Sequence, residues 1–358
     1  MLALTAATVA LAPPTRLICL QHGLYGDALH LSPFAEQLQR LSDETTLVHL
    51  ASANEGRTRD GVAAGGLRLA NEVRDVVAQN PTLTGLSLVG NSLGGLYVRA
   101  AAAELFDEGS GRMAGLLPDA LLTTGTPHLG VRSHLYLPLP RVLHALGRPI
   151  AGQTAVDLLL CDNGGADGDG VDGTCGEPLL LTMADPHSRH GRALRAFRRR
   201  RAYANLCGDF MVPFGTAAMM GTPWGAGAAD ERYAAAFEAS RTTALTFPGG
   251  RGFVDEGDAP SPDGGRRGAD AANVPWEGAT RLPWEERMRL GLRAASWSRV
   301  SIRFDDVGTF APLAHNRLPC VRRRGWRRAF EWVEQAHKGA PVVEHAARYL
   351  LADVAAGS

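Results

Sequence analysis

Leu86-Ser87-Leu88-Val89-Gly90-Asn91-Ser92-Leu93-Gly94-Gly95 decides how the chain is read. Four apolar or small residues suit a buried strand, and the apolar run from Leu93 to Phe106 suits a helix entered through glycines. Between them lies Gly90-Asn91-Ser92-Leu93-Gly94, a G-x-S-x-G match. The bare pattern is weak in a chain with 42 glycines. Its place between a strand and a helix makes it specific, because a serine at that turn needs strained dihedrals and small residues two positions either side. Ser92 is therefore the candidate nucleophile. The helix starting beside it aims its first amides at developing negative charge.

Working outward, 16–21 reads as a buried strand followed by the turn His22-Gly23-Leu24-Tyr25-Gly26. Asp27 is expected to cap a helix running to about Leu41. A second strand is expected over 45–50, a helix over 61–78 with Leu69, Val73, Val76 and Val77 on one face, and a fourth strand at 121–124. This alternation predicts an α/β fold with a mostly parallel central sheet and helices on both faces.

After Thr124 the rhythm breaks. The apolar segment 129–160 reads as a cap or lid over the strand ends, weighed against ordinary peripheral packing. The segments 164–176 and 249–279, rich in Gly and Asp, read as flexible insertions. Asp167, Asp169 and Asp172 lack the full calcium-loop pattern. The basic run 195–201 suits a helix end that complements the macrodipole better than a lipid-binding or nuclear signal. A strand is expected over 202–206 and another over 296–304; amphipathic residues 326–336 and a last helix over 342–351 follow. Residues 1–15 read as a short unstructured leader and 16–354 as one domain.

A serine needs a base to take its proton, and in this topology the partners follow in the order Ser, acid, His. Asp209 follows a predicted strand and suits the acid. Asp185 has no clear strand before it; Asp305 and Asp306 lie close to the late histidines. The base comes from His315, His337 or His345, of which His315 occupies a loop after the last predicted strand. Two backbone amides must hold the oxyanion, and Leu93 and Leu24 are the expected donors. His22 is expected to orient the loop that carries Leu24.

Composition narrows the partners. Lysine plus arginine and aspartate plus glutamate each number 37, a formal net charge of zero. That argues against a whole-chain affinity for nucleic acid or an acidic membrane. Five scattered cysteines without a C-x-x-C pair argue against zinc and against a disulfide framework. The serine-hydrolase reading implies neither metal nor cofactor. A Cys161–Cys175 pair is the one bridge to consider. No apolar run reaches the length of a membrane span. Ala10-Leu11-Ala12 mimics a cleavage site, but no basic residue precedes it, and the first twelve residues lack the Arg and Ser of an organellar presequence. A cytoplasmic protein with at most peripheral membrane contact is expected.

Together these segments resemble the putative serine esterase family of lipase-like α/β-hydrolases. The matching motifs are His22-Gly23-Leu24-Tyr25-Gly26, Thr58-Arg59-Asp60-Gly61, Gly90-Asn91-Ser92-Leu93-Gly94-Gly95, Thr126-Pro127-His128-Leu129-Gly130, Tyr203-Ala204-Asn205 with Asp209, Val212 and Pro213, and Ala314-His315-Asn316. The resemblance implies an α/β-hydrolase fold with a small cap, and a Ser/Asp/His hydrolase whose residues carry over to Ser92, Asp209 and His315. It raises His315 above the other histidines. Asn91 departs from the pattern, standing where many lipases place histidine. His128, in a motif that looks like a family hallmark, is expected to be structural, shaping the site with His22, Gly23, Gly90, Asn91 and Gly94. The implied substrate is an acyl ester of a lipid. An acyl-protein thioesterase is the alternative within the same chemistry, and a catalytically silent binding module the alternative outside it.

Overall fold

The computed structural model describes residues 12–133, 152–162, 177–220, 235, 237–256, 282–307, 314–322 and 337–352. Eight strands form the main sheet: β1 Arg16–Gln21, β2 Thr46–Leu50, β3 Gly85–Asn91, β4 Leu117–Thr124, β5 Arg199–Asn205, β6 Thr242–Phe247, β7 Gly250–Glu256 and β8 Ser298–Phe304. Their spatial order is β2-β1-β3-β4-β5-β8-β7-β6. Every pairing from β2 across to β8 is parallel, and the last two, β8 with β7 and β7 with β6, are antiparallel.

Helices among the described residues include α1 Ser32–Leu41, α2 Val62–Gln79, α3 Leu93–Leu105, α4 Leu179–Ala184, α5 Arg189–Ala196, α6 Trp284–Arg293 and α7 Ala340–Leu351. Strand β1 shows why both faces are covered. Leu17 and Cys19 pack into the core that holds Leu69 and Val73 of α2, Leu96 and Tyr97 of α3 and Met288 of α6. Ile18 and Leu20 point the other way, against Phe34 and Leu38 of α1 and Val342, Val343 and Ala346 of α7. A period of two on a strand, apolar at every position, is the pattern of a sheet buried on both sides. Each fully buried aliphatic side chain contributes about 1.5–3 kcal/mol.

The chain runs from β1 outward to β2 and then crosses back to β3 on the other side of β1. The strand order therefore reverses between β1 and β3, and the crevice at their carboxyl ends is where open α/β sheets bind ligands. The loop 22–26 and the turn at Ser92 both open there.

Several expectations change in detail. Asp27 caps a short 3-10 turn, Ala28–Leu31, by accepting from the His30 amide, and α1 begins only at Ser32. Thr15, expected in the leader, already donates its amide to Thr45 O at 2.8 Å. The reading of 249–279 as a flexible insertion is corrected at its start: Gly250–Glu256 is β7, packed between β8 and β6. Pro248 and Gly249, the latter at φ 81°, make the tight turn, and Phe253 is buried. The basic run is not a solvated helix end throughout. Arg199 and Arg201 are half-buried on β5 with their guanidinium groups over the Tyr349 ring at 5.0 and 3.9 Å, while Arg200 donates to the last carbonyls around α5. Cys161 is half-buried, and its Sγ donates to Leu159 O at 3.1 Å. The reading of 164–176, the core of the expected cap (134–151), the rest of the late insertion (257–281), Cys175 and 326–336 lie outside the described residues.

Candidate active site

Ser92 stands between β3 and α3 at φ 56°, ψ −128°, a backbone conformation that non-glycine residues rarely hold. The strain is fixed by neighbours. Its amide donates to Thr124 O of β4 at 2.8 Å, and its carbonyl accepts from Gly95 at 3.0 Å. A Cβ on Gly94 would fall 2.3 Å from Gln21 O, and one on Gly90 2.4 Å from Gly95 Cα. Glycine is thus required by close backbone approach at both ends of the turn. Asn91 accepts from Thr124 Oγ1 at 3.0 Å through Oδ1, a side-chain tie between β3 and β4 beside the turn.

The loop after β1 comes to the same point. A Cβ on Gly23 would lie 2.7 Å from Ser92 Cβ and 3.0 Å from Asn91 O. His22 is fully buried, and its Nδ1–H donates to Gly23 O at 3.0 Å. Its Nε2 has no partner among the described residues, and burial lowers its pKa, so the ring is neutral at pH 7. Among the described residues the amides of Leu24 and Leu93 have no acceptor.

Asp209 and His315, 106 residues apart, meet: His315 Nδ1–H donates to Asp209 Oδ2 at 2.9 Å. Both are buried, at 2% and 4% exposure. Asp209 Oδ1 accepts the amides of Met211 and Val212 at 3.1 and 2.9 Å. Asn205, the last residue of β5, donates through Nδ2 to Asp209 Oδ2 and to Ala314 O, both at 3.0 Å. One side chain thus holds both the carboxylate and the turn that carries the imidazole. A Cβ on Gly125 would lie 3.0 Å from His315 Cε1. The imidazole is therefore packed against the residue that follows Thr124, whose carbonyl holds the Ser92 amide. With Nδ1 protonated toward the carboxylate, Nε2 is left as the basic nitrogen.

The rival residues have other work. Asp185 caps α4 and accepts from the His187 amide. Asp306 pairs with Arg317 at 2.6 Å and with Lys338, anchoring the short turn Ala314–Arg317 that contains His315. Burial would raise the Asp306 pKa, but these cations override it and hold it at about 2. His345 and the Tyr203 hydroxyl bond at 2.8 Å. His128 is fully buried beneath the site; Arg99 donates to its Nδ1 at 3.3 Å, and its Nε2–H donates to Thr123 Oγ1 at 3.0 Å. Burial first and the Arg99 charge second push its pKa well down. Arg99 itself has no carboxylate partner among the described residues, and burial lowers its pKa to about 9. Sequence reasoning missed Asn205 and Thr58 as organising residues; both lay in quoted motifs without an assigned role. No group of three or more potential metal ligands occurs among the described residues.

Residues 12–221, which carry the elbow, the loop after β1 and Asp209, match the family described as "Putative serine esterase (DUF676)". The chain belongs to this family. Similar proteins include "Putative lipase C4A8.10" of Schizosaccharomyces pombe, 28% identical over 215 residues, covering 57% of this chain and 26% of that protein. "Putative lipase ROG1" of Saccharomyces cerevisiae is 29% identical over 212 residues, covering 57% of this chain and 28% of its own length. The chain thus spans about a quarter to a third of the curated relatives it matches. Among solved structures, Bacillus licheniformis lipase BlEst2 in its propeptide form aligns over 68% of this chain and 55% of its own at 16% identity, TM-score 0.37. The fold is that of an α/β-hydrolase, and membership of a serine esterase family supports hydrolysis of ester bonds. His315 lies beyond the family match, in a part of the chain that only the geometry joins to Asp209.

Proposed function

We propose that this serine-esterase family member cleaves carboxylic esters of lipids through an acyl-enzyme on Ser92. Ser92 Oγ attacks the ester carbonyl carbon while its proton passes to His315 Nε2. The Leu24 and Leu93 amides hold the resulting oxyanion. Collapse breaks the carbon–oxygen bond, and His315 returns the proton to the departing alcohol. Water then repeats the sequence on the acyl-enzyme and releases the carboxylic acid. Asp209 holds the imidazole tautomer and stabilises the imidazolium, and does not itself take the proton.

The observation that carries this reading is the 2.9 Å bond from His315 to Asp209, formed against the strand end that also fixes Ser92 in its strained turn. The lipid preference rests on the naming of the relatives as lipases and on the apolar composition of 129–160, and the thioesterase alternative shares every catalytic step. No helix among the described residues is long and apolar enough to cross a membrane.

The test is a substrate panel of short and long acyl esters, glycerolipids and acyl thioesters, with Ser92→Ala alongside. Hydrolysis of long-chain esters by the parent and none by the variant is the expected result. Preference for thioesters would move the substrate class, and activity retained in Ser92→Ala would overturn the nucleophile.

A further inference from the structure

The motif Thr58-Arg59-Asp60-Gly61 lies between β2 and α2 and touches no reacting group, yet its first residue is a junction. Thr58 is 2% exposed. Its Oγ1 accepts the Tyr25 amide at 3.0 Å. Its carbonyl accepts the Tyr97 hydroxyl of α3 at 3.1 Å and the Thr154 hydroxyl at 2.7 Å. Thr154 Oγ1 in turn accepts the Gly61 amide at 3.0 Å, and Asp157 accepts the amide of Val62 at the start of α2 at 2.7 Å. Tyr97 fits because α2 has no side chain in its way; a Cβ on Gly65 would lie 2.2 Å from the ring. The helix that starts at Ser92 is therefore bonded through Tyr97 to the residue that holds the loop after β1.

What that bond holds is a turn with two available forms. Gly26 donates to Gly23 O at 3.0 Å, so Gly23–Gly26 is a β-turn with Leu24 and Tyr25 in the middle. Tyr25 sits at φ 54°, and Leu24 is not among the positive-φ residues. That is the pattern of a type II turn, whose third position normally takes glycine or asparagine. A tyrosine there favours the type I form, in which the Leu24–Tyr25 peptide is turned over. The Tyr25 N–H bonded to Thr58 Oγ1 belongs to that peptide.

We propose that Thr58 is a positioning residue for the oxyanion loop: its hydroxyl holds the Leu24–Tyr25 peptide in the type II orientation and so anchors, one peptide away, the loop that carries the Leu24 amide. This inference rests on the esterase reading for its catalytic consequence and on the turn geometry alone for its structural one.

The experiment compares Thr58→Val, which keeps the shape and removes the acceptor, with Thr58→Ser, which keeps the hydroxyl. It reads thermal stability, kcat and KM on a short-chain p-nitrophenyl ester, and hydrogen–deuterium exchange of a peptide covering residues 22–27. Thr58→Val should lower kcat by about 10- to 100-fold, less than the 10²–10³ of losing an oxyanion donor outright. KM should stay within about threefold, since the loss falls on the transition state. Exchange over 22–27 should quicken in the valine variant alone, and Thr58→Ser should restore kcat. A folded valine variant with parental kcat, or an equal loss in Thr58→Ser, overturns the proposal; so does unchanged exchange, whatever the enzyme does. A parent inert toward esters, with exchange behaving as expected, would sink the esterase reading and the catalytic meaning of Thr58 together, leaving the bond a structural tie.

Discussion

The nucleophile side and the acid–base side of the site are built from different materials. Ser92 is held by main chain: its amide on Thr124 O, its carbonyl under Gly95, and glycines 23, 90 and 94 at positions where any Cβ would meet a neighbour within 3.0 Å. His315 is held by side chains: Asp209 at 2.9 Å, Asn205 bridging Asp209 and Ala314 O, and Asp306 with Arg317 pinning the turn. A main-chain constraint leaves glycines at fixed spacing in the sequence, whereas a polar side-chain network leaves only residues that have many other uses. The two arms should also fail differently. Steric closure fails all at once, and a hydrogen-bonded arm loses function one bond at a time.

The largest effect should come from the rigid side. Gly94→Ala places a Cβ 2.3 Å from Gln21 O, with main chain on both sides of the contact. It should lower stability by about 3 kcal/mol, the upper part of the range for overpacking, and abolish turnover. Chemical denaturation and ester kinetics measure both. A stable, active Gly94→Ala would mean that the turn can move and that the contrast is false.

Asn205→Ala should fall between. Removing two buried bonds leaves the Ala314 carbonyl and one Asp209 lone pair unserved, at about 1–3 kcal/mol. We expect kcat to drop by more than the stability loss alone would suggest, with KM little changed, because Asp209 and the His315 turn then drift independently. A loss of stability with kcat intact would reduce Asn205 to packing.

Acid sensitivity probes the layer beneath both arms. His128 and His22 have pKa values lowered by burial, so the unfolded chain binds more protons than the folded one below the ordinary histidine value of 6.5. Their contribution is whole above pH 6.5 and erodes as pH falls below it, by up to about 1.4 kcal/mol per pH unit for each ring. Melting curves from pH 7 to 5 should slope downward, and His128→Gln should flatten part of that slope. An unchanged slope would mean that His128 does not stay neutral in the folded state.

Asp306→Asn should have the smallest effect, since its side chain is 38% exposed and exposed ion pairs contribute little. The Asp306 pKa is held low, so its stabilisation is present at neutral pH and lost as pH falls toward 2. A few-fold loss in kcat through a looser His315 turn is expected, with nearly parental melting at pH 7.

How much the sequence disclosed follows the same division. Strands β1, β3 and β4 and helices α2 and α3 lie where periodicity and the glycines of the elbow place them, because apolar runs between turn residues leave no other register. Asp209 and His315 were chosen from position and from the family resemblance, and the structure brings them together. The β6–β7 hairpin was missed although Pro248-Gly249 marks its turn, because glycines 249, 250 and 252 together looked like a loop. Asn205 and Thr58 could not be given roles from composition, since a buried amide or hydroxyl takes its meaning from partners more than 30 residues away.

The most direct test of the account is reaction of the folded protein with a fluorophosphonate, mapped by mass spectrometry and repeated on Ser92→Ala, Asp209→Asn and His315→Ala. The account predicts a phosphonyl adduct on Ser92, absent in the first variant and formed far more slowly in the other two, by a factor that approaches about 10⁴ for the tautomer-disrupting Asp209→Asn. An unlabelled but well-folded parent, labelling that survives Ser92→Ala, or parental rates in Asp209→Asn and His315→Ala would contradict it.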